Sequence, residues 1–254
     1  MNTTLTYSVQ IITQDDQLTE ALNLRYRIYK KVYPKITENN IRPFESDAFD
    51  WRSIHLGLFC NVNGDKKLAG YCRLILPKAF QKQFSYLLIR NHTQYLQQKE
   101  MYNQKLAFME RLSADSFQKV SAFCNQLENA KIPYIETSRF IIGEEHRSIS
   151  LSTFFASSMF AVCDSLKIKY TFFTCPAHHV SFYNKLGLTL FPGVAQFDNQ
   201  IFGTQFVVFG TKLNVANTLQ KSITSFREEL ECEKQITFRK AERTPKYLLL
   251  QNYS

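Results

Sequence analysis

Glycine is scarce in this sequence of 254 residues: there are eight, and no two of them stand two positions apart. The chain therefore lacks the GxGxxG dinucleotide fingerprint, and it also lacks the GxxxxGKS or GxxxxGKT phosphate loop and the GxSxG nucleophile elbow. These absences exclude the Rossmann and P-loop phosphate sites in their usual forms.

Long apolar runs are also absent. No segment approaches the ~18 to 20 consecutive apolar residues of a membrane span, and the N-terminus has no basic stretch followed by an unbroken apolar core. We therefore expect a cytoplasmic protein with no transmembrane segment.

Paired cysteine motifs are missing as well. None of the six cysteines belongs to a CxxC pair or to the dense spacing of a small secreted domain, so we expect free thiols buried in the core. Cys175, His178 and His179 offer half of a metal site, but no second cluster completes the four ligands that zinc takes. No metal is predicted.

The sequence is rich in apolar side chains and in positive charge. Apolar residues make up 44% of the chain, which suits a globular protein and excludes a disordered or collagen-like one. Thirty-one lysines and arginines against 22 acidic residues give a net charge of +9. An acidic partner is therefore expected, and nucleic acid, anionic lipid, a phosphorylated ligand and an acidic carrier protein all stay open.

The first third of the chain predicts a strand, a helix and a β-hairpin. Residues 5–12 have the pattern of a strand, and Asp15 or Asp16 caps a helix that ends near Val32. The turn signal at Asn63–Asp65 lies between two β-like runs, which is typical of a hairpin.

The remainder predicts an α/β chain with a mixed sheet. A polar, helix-like segment without glycine covers 78–131, and strands alternate with helices over 133–213. We divide the chain into a main domain over 1–211 and a C-terminal amphipathic helix with its tail over 212–254.

Charged residues stand inside several of these apolar segments. Arg25 falls within the apolar stripe of the first helix, with Tyr29 one turn later, and Arg73 is a lone cation in an apolar strand. Two clusters complete the set: Glu45, Asp47 and Asp50 in ESDAFD, and Glu136, Ser138 and Arg139 in ETSRF. Taken one at a time, each fits a solvated loop or the wet face of a sheet. Together they predict a polar site built into the sheet, because buried charges persist when they pair.

These motifs resemble those of the acyl-homoserine-lactone synthases and the related N-acyl amino acid synthases, which share the GNAT (N-acetyltransferase-like) fold. They are LRYRIY, ESDAFD, GYCRLILP and ETSRF, and FYNKLGL resembles a segment common across GNAT enzymes. The resemblance covers about residues 5–211. It implies an acyl-CoA N-acyltransferase fold, with a central mixed and mostly antiparallel sheet, flanking helices and a helical insertion between the third and fourth strands.

Two departures distinguish the chain from the lactone synthases. Those enzymes usually carry a tryptophan after the first helix, where this chain has Tyr33, and its single tryptophan is Trp51. The long segment between Pro77 and Glu136 is more similar to the N-acyl amino acid synthases.

The resemblance implies an N-acyltransferase that moves a fatty acyl group from a thioester to the amine of an amino acid or related small amine. The matching positions are Arg25, Tyr29, Asp47, Asp50, Arg73, Glu136 and Arg139. We assign Glu136 as the general base that takes a proton from the attacking amine, with Ser138 and Arg139 beside it as catalytic residues. The substrate-binding set is Arg25, Tyr29, Asp47, Asp50 and Arg73. The arginines either hold the acceptor's carboxylate or lock the aspartates in place.

We expect acyl carrier protein as the acyl donor, with acyl-CoA as the alternative and no permanently bound cofactor. GNAT enzymes usually hold the pyrophosphate of coenzyme A at a glycine-rich turn before a helix, whereas this chain has only Gly143 there, followed by Glu144 and Glu145. An acidic carrier needs a basic docking surface. Its candidate residues are Lys78, Lys82, Arg90, Lys99, Lys105 and Arg111.

Other functions stay open at this point. They are a lactone synthase that consumes S-adenosylmethionine, a coenzyme A dependent N-acetyltransferase, and a non-catalytic basic binding protein. A nucleic-acid-binding module fits the net charge of +9, but the sequence has no RNA- or DNA-binding signature. We therefore predict no nucleic-acid partner.

Overall fold

The computed structural model describes residues 5–36, 38, 44–89, 105–211 and 217–238. The strands are β1 Leu5–Ile12, β2 Ser53–Val62, β3 Asp65–Ile75, β4 Tyr134–Ile142, β5 Tyr170–Pro176, β6 Thr189–Leu190, β7 Phe197–Asn199, β8 Gly203–Thr211 and β9 Ile236–Phe238. The helices are α1 Asp15–Val32, α2 Ala114–Asn129, α3 Ile149–Ser165, α4 Ala177–Lys185 and α5 Asn217–Glu233. No helix among these residues is long and apolar enough to cross a membrane.

The strands of the described residues form one nine-stranded sheet. Its order is β6-β8-β5-β4-β3-β2-β1-β9, and β7 pairs with β8 outside this path. The neighbouring pairs are antiparallel except β4 and β5, which are parallel and are connected through α3. A parallel pair needs such a crossover connection. The predicted mixed and mostly antiparallel sheet is confirmed.

The first elements form where local sequence signals predicted them. α1 buries Leu18, Leu22 and Arg25 on one face at helical spacing. Between β2 and β3, Asn63 and Gly64 have φ angles of 53° and 96°. A two-residue type I′ hairpin turn needs positive φ at both of its central residues, which asparagine and glycine tolerate best.

Helices cover both faces of the sheet. On β5, Phe172 contacts the ring of Phe123 from α2, whereas the next residue, Phe173, contacts Tyr183 from α4. Successive strand residues point to opposite faces, so α2 and α4 lie on opposite sides of the sheet. α1 packs over Tyr71 of β3 on the side of α2, which we call the front face. α3 and α5 pack together on the other side, the back face.

A β-bulge and a strand separation interrupt the centre of the sheet. On β4, Arg139 and Phe140 stand opposite the single residue Cys72 of β3, and Arg139 has a φ of 58°. Such a bulge turns backbone groups out of the ladder. The pairing of β4 with β5 ends at the rung between Glu136 and Phe172, although both strands continue. We call the gap beyond this rung the β4–β5 opening.

Some elements differ from the sequence expectations. In the described part of the segment over 78–131, α2 is accompanied by short 3-10 turns at Lys78–Phe80, Ser85–Leu87 and Ala107–Arg111. The strand β9, which pairs with β1, was not predicted. Five of the six free cysteines are buried as expected, but Cys232 on α5 is exposed because it lies on the outward face of that helix.

Replacement of Phe226 tests whether α5 shares the core of the domain. Its ring is 2% exposed and lies 5.5 Å from that of Phe154 on α3, so we expect Phe226→Ala to lower the free energy of unfolding by about 3–5 kcal/mol. Urea denaturation followed by circular dichroism measures the change. Lys221→Ala, at an exposed position of the same helix, should change stability by less than about 0.5 kcal/mol. An equally small loss for Phe226→Ala would contradict the packing.

Candidate active site

Three arginines and three carboxylates form a closed ring of ion pairs on the front face. α1 supplies one arginine, β3 another and the bulge of β4 the third, while the carboxylates come from the segment that precedes β2. Each arginine pairs with two carboxylates, and each carboxylate with two arginines. Going round, the members of this ion-pair ring are Arg25, Asp50, Arg73, Asp47, Arg139 and Glu45.

The pairing has the geometry of strong hydrogen bonds. Arg73 binds Asp47 with both terminal nitrogens, at 2.6 Å to Oδ1 and 2.7 Å to Oδ2, and its Nη1 also lies 2.7 Å from Asp50 Oδ1. Arg25 Nη1 lies 2.6 Å from the same Asp50 oxygen, and Arg139 Nη2 donates to Asp47 Oδ2 at 3.1 Å. Two-nitrogen contacts of this kind fix orientation as well as distance.

One edge of the ring reaches the surface. The side chains of Arg25, Asp50 and Arg73 are at most 1% exposed, whereas Asp47 is 29% and Arg139 is 15% exposed. The buried members therefore serve the architecture of the site. A substrate that arrives from solvent would meet the edge between Asp47 and Arg139.

The arginines keep the aspartates ionised. Burial alone raises the pKa of Asp47, but Arg73 and Arg139 outweigh it and hold this pKa well below its usual range. The same competition lowers the pKa of Asp50, where burial is opposed by Arg25 and Arg73. Both carboxylates are negatively charged at neutral pH.

A buried histidine and tyrosine support the ring, and the sequence reasoning did not identify them. His55 Nε2 donates to the carbonyl oxygen of Asp50 at 3.0 Å, so its Nδ1 accepts from the hydroxyl of Tyr71 at 2.6 Å. Burial lowers the pKa of His55 to about 4, so the imidazole is neutral. The ring of Tyr71 lies under the guanidinium of Arg25, 5.5 Å from its Cζ. The sequence signal that could have identified His55 is the presence of a histidine within the apolar strand SIHLGLF.

Glu136 lies beside the ring but outside it. Its carboxylate is buried and accepts the backbone N–H of Ala107 and, at 3.4 Å, that of Phe108. Burial raises the pKa of Glu136 to about 7, against the opposing effects of Arg73 and of these two amides. Ser138, two residues further on β4, accepts from Arg73 Nη2 at 3.5 Å. The structure thus places two of the predicted catalytic residues, Glu136 and Ser138, next to the ring, and the third, Arg139, within it.

Aromatic side chains line the exposed edge. Arg139 Cζ lies 5.3 Å from the ring of Tyr29, which is 6.1 Å from the ring of Tyr33. From the opposite half of the sheet, Phe202 in the turn between β7 and β8 reaches Tyr33 at 4.8 Å and Tyr29 at 6.4 Å. The sequence reasoning missed Phe202, because only the tertiary fold brings this turn to α1.

The turn between β4 and α3 is occupied by side chains of the chain itself. Glu144 pairs with Lys31, and the Glu145 carboxylate lies 3.2 Å from where a Cβ on Gly143 would stand. Ser148 caps α3 by accepting the N–H of Leu151 at 3.1 Å. Carboxylates thus surround this turn.

The basic residues predicted to dock a carrier differ in their surroundings. Lys78, Lys82 and Arg111 are exposed, whereas Lys105 pairs with Glu128 and donates to Asn125 at 2.7 Å. Arg90 and Lys99 lie outside the described residues. Within the described part of the chain, no group of three histidine, cysteine, aspartate or glutamate side chains is placed to hold a metal ion.

Comparison with known families identifies the chain. The sequence pattern of the GNAT acetyltransferase domain matches residues 24–156, which is more than half of the chain and runs from the second half of α1 to the middle of α3. The chain belongs to the GNAT acetyltransferase family. It is therefore an acyltransferase of the GNAT type, and the fold predicted from its motifs is confirmed.

Solved GNAT structures share the fold at low sequence identity. FeeM, an N-acyl amino acid synthase from uncultured soil microbes, is 11% identical with a TM-score of 0.51, and covers 86% of this chain and 99% of its own. BjaI, a CoA-dependent acyl-homoserine lactone synthase, is 13% identical with a TM-score of 0.53, covering 87% and 90%. MesI, another CoA-dependent acyl-homoserine lactone synthase, is 17% identical with a TM-score of 0.50, covering 87% and 95%. No curated protein sequence matches this GNAT chain.

Removal of Arg25 tests the ion-pair ring of this GNAT enzyme. Arg25→Ala leaves Glu45 and Asp50 buried without one of their cations, so we expect a loss of about 3–5 kcal/mol in the free energy of unfolding. Arg27→Ala is the matched control, because Arg27 is exposed on the same helix and should cost less than about 0.5 kcal/mol. Urea denaturation of both variants measures the difference. Equal losses would show that the ring does not stabilise the fold.

Proposed function

We propose that the enzyme transfers a fatty acyl group from an acyl carrier protein thioester to the amine of an amino acid or related small amine. The observation that carries this proposal is the buried carboxylate of Glu136, which stands at the inner end of the β4–β5 opening with a pKa of about 7. A base for an amine needs a pKa near the working pH, so that it accepts a proton and still exists partly as carboxylate.

The proposed reaction is a direct attack of the amine on the thioester. Glu136 takes a proton from the ammonium, directly or through water, and the freed nitrogen attacks the thioester carbonyl carbon. A carbon–nitrogen bond forms, the carbon–sulfur bond breaks, and the leaving thiolate takes up the second proton that the nitrogen loses as it becomes an amide, while Glu136 releases its proton to solvent. Backbone N–H groups at the bulge of Arg139 and Phe140 would stabilise the tetrahedral oxyanion, because the bulge turns them out of the ladder. Ser138 would help to position Arg73.

The ring would bind the acceptor through its exposed edge. Arg25 and Arg73 are fully buried and already paired with two carboxylates each, so their role here is to lock Asp47 and Asp50. Asp47 would attract the ammonium of an α-amino acid, and Arg139 its carboxylate. Paired opposite charges at the edge match a zwitterion better than a simple amine.

The choice of acyl donor follows from the charge of the protein. The net charge of +9 favours an acidic carrier protein, and the carboxylates of Glu144 and Glu145 disfavour the pyrophosphate of coenzyme A at the turn before α3. Lys78, Lys82 and Arg111 remain the exposed docking candidates. Acyl-CoA is the competing donor, since BjaI and MesI are described as CoA-dependent.

Product analysis distinguishes this reaction from lactone synthesis. Organic extracts of cells that overproduce the enzyme should contain N-acyl amino acids, and parallel extracts with Glu136→Gln should not. Accumulation of an acyl-homoserine lactone with consumption of S-adenosylmethionine would assign the chain to the other branch that its fold resembles. New lipids that persist with Glu136→Gln would remove Glu136 from the mechanism.

The pH dependence tests Glu136 as the base. Only its carboxylate form accepts a proton, so kcat/KM should fall below a pH of about 7, where the carboxyl becomes protonated. Glu136→Gln should lower kcat/KM by about 10²- to 10⁴-fold and remove this acidic limb. Asp115→Asn, which neutralises an exposed carboxylate on α2, is the control and should keep the wild-type profile. An unchanged acidic limb in Glu136→Gln would contradict the assignment.

Phe202 tests the location of the acceptor site. Its ring contacts Tyr33 and Tyr29 at the exposed edge of the ion-pair ring. Phe202→Ala should therefore raise KM for the amine by roughly tenfold and leave KM for the acyl donor unchanged. Steady-state kinetics with each substrate varied in turn measure both constants. Phe202→Tyr keeps the ring and should retain the wild-type values. A rise confined to the donor KM would place the acceptor elsewhere.

A further inference from the structure

The sheet limits how far an acyl chain can extend along the β4–β5 opening. Arg139 stands three residues beyond Glu136 on β4, which corresponds to about 10 Å along a strand. At Glu136 and Phe172 the two strands pair again and the opening ends. A longer chain bound at the bulge must therefore leave the plane of the sheet on one of its faces.

The back face is closed at this point by polar contacts. Thr137 on β4 and Thr171 on β5 are joined across the strands by a hydrogen bond of 3.0 Å between their hydroxyls. Thr137 also lies 3.3 Å from the sulfur of Met159 on α3. Both threonines are buried, so an apolar chain passing here would have to break a buried hydrogen bond.

On the front face, an aromatic wall stands next to the Glu136 carboxylate. Phe108, in the 3-10 turn before α2, is 1% exposed, and its ring centroid lies 6.3 Å from that of Phe172. The backbone of Phe108 is also fixed next to the reaction centre, because its N–H points at the Glu136 carboxylate. Phe108 thus stands where a chain that turns onto the front face first meets the protein.

We propose that Phe108 sets the length of the acyl chain that the enzyme accepts, by closing the front-face exit of the β4–β5 opening. This inference rests on the proposed acyl transfer and adds its chain-length determinant. A smaller side chain at this position would leave a cavity beside Phe172 and next to Glu136, at the inner end of the opening.

A competition among thioesters tests the proposal without a choice of carrier. The purified enzyme receives an equimolar mixture of straight-chain acyl N-acetylcysteamine thioesters, from butanoyl to hexadecanoyl, with the standard amino acids as acceptors. Mass spectrometry of the N-acyl products gives the chain-length profile. Phe108→Ala should shift the profile to longer chains and raise the long-to-short product ratio by roughly tenfold or more, since apolar pockets discriminate a methylene by roughly 10- to 200-fold. Phe108→Leu should shift it less in the same direction.

Phe123→Ala is the matched control. Its ring lies 6.2 Å from that of Phe172 and belongs to the same aromatic cluster, but it contacts Tyr170, Phe191 and Phe209 further from Glu136. This variant should keep the wild-type profile.

An equal shift with Phe123→Ala, or no shift with either Phe108 variant, overturns the inference while the acyl transfer stands. If Phe108→Ala does not fold, Phe108→Leu alone decides. Absence of any product from the wild type, both with these thioesters and with the same acyl groups carried by acyl carrier protein, overturns the proposed function and this inference together.

Discussion

The ion-pair ring is the constraint on which the rest of the site depends. It ties together α1, the segment before β2, β3 and the bulge of β4, which are distant in sequence. Burial of Arg25, Asp50 and Arg73 costs several kcal/mol for each ion, and close pairing recovers this cost only while their partners stay in place. The ring therefore makes the local geometry all-or-none. Arg139 at the bulge has a left-handed backbone conformation, and it is held by Glu45 and Asp47 of the segment before β2.

The ring also explains why neighbouring carboxylates differ so widely in acidity. Asp47 and Asp50 each face two arginines, which keep them ionised despite burial. Glu136 is nearly as buried as Asp50, but its direct hydrogen bonds are with neutral backbone amides, and its pKa is raised to about 7. Separated pKa values in one site are how proteins divide structural charges from proton-accepting ones. The ring carboxylates pair with the arginines, so the opposing effect of Arg73 on the pKa of Glu136 does not outweigh burial. Glu136 can therefore exchange a proton near neutral pH.

The sequence predicted the parts of this arrangement that depend on local signals. The helical period predicted α1 and showed Arg25 inside its apolar stripe, and Asn63–Gly64 predicted the hairpin that leads into Arg73. The order of the four motifs from LRYRIY to ETSRF predicted the GNAT fold. The contacts of Phe202 with α1 and of Phe108 with Glu136 were not predictable, because they join segments about 170 and 30 positions apart through tertiary packing alone. β9 was missed because three residues give too short a pattern, and its partner β1 is at the other end of the chain.

The backbone and the side chains divide the work of specificity. The bulge and the parallel pair that ends at Glu136 are backbone features, and in the proposed reaction they would fix where a thioester carbonyl and an attacking amine meet. Selection among substrates would fall to the side chains around this frame. In that proposal the exposed edge of Asp47 and Arg139 would face the acceptor, the carboxylates before α3 would face the donor, and Phe108 would stand at the end of the acyl path. Asp47 and Arg139 also belong to the ion-pair ring, so their replacement disturbs the site, whereas Phe108 and the carboxylates before α3 lie outside the ring. FeeM, an N-acyl amino acid synthase, and BjaI, a CoA-dependent acyl-homoserine lactone synthase, share this fold, so the fold alone does not choose the substrate.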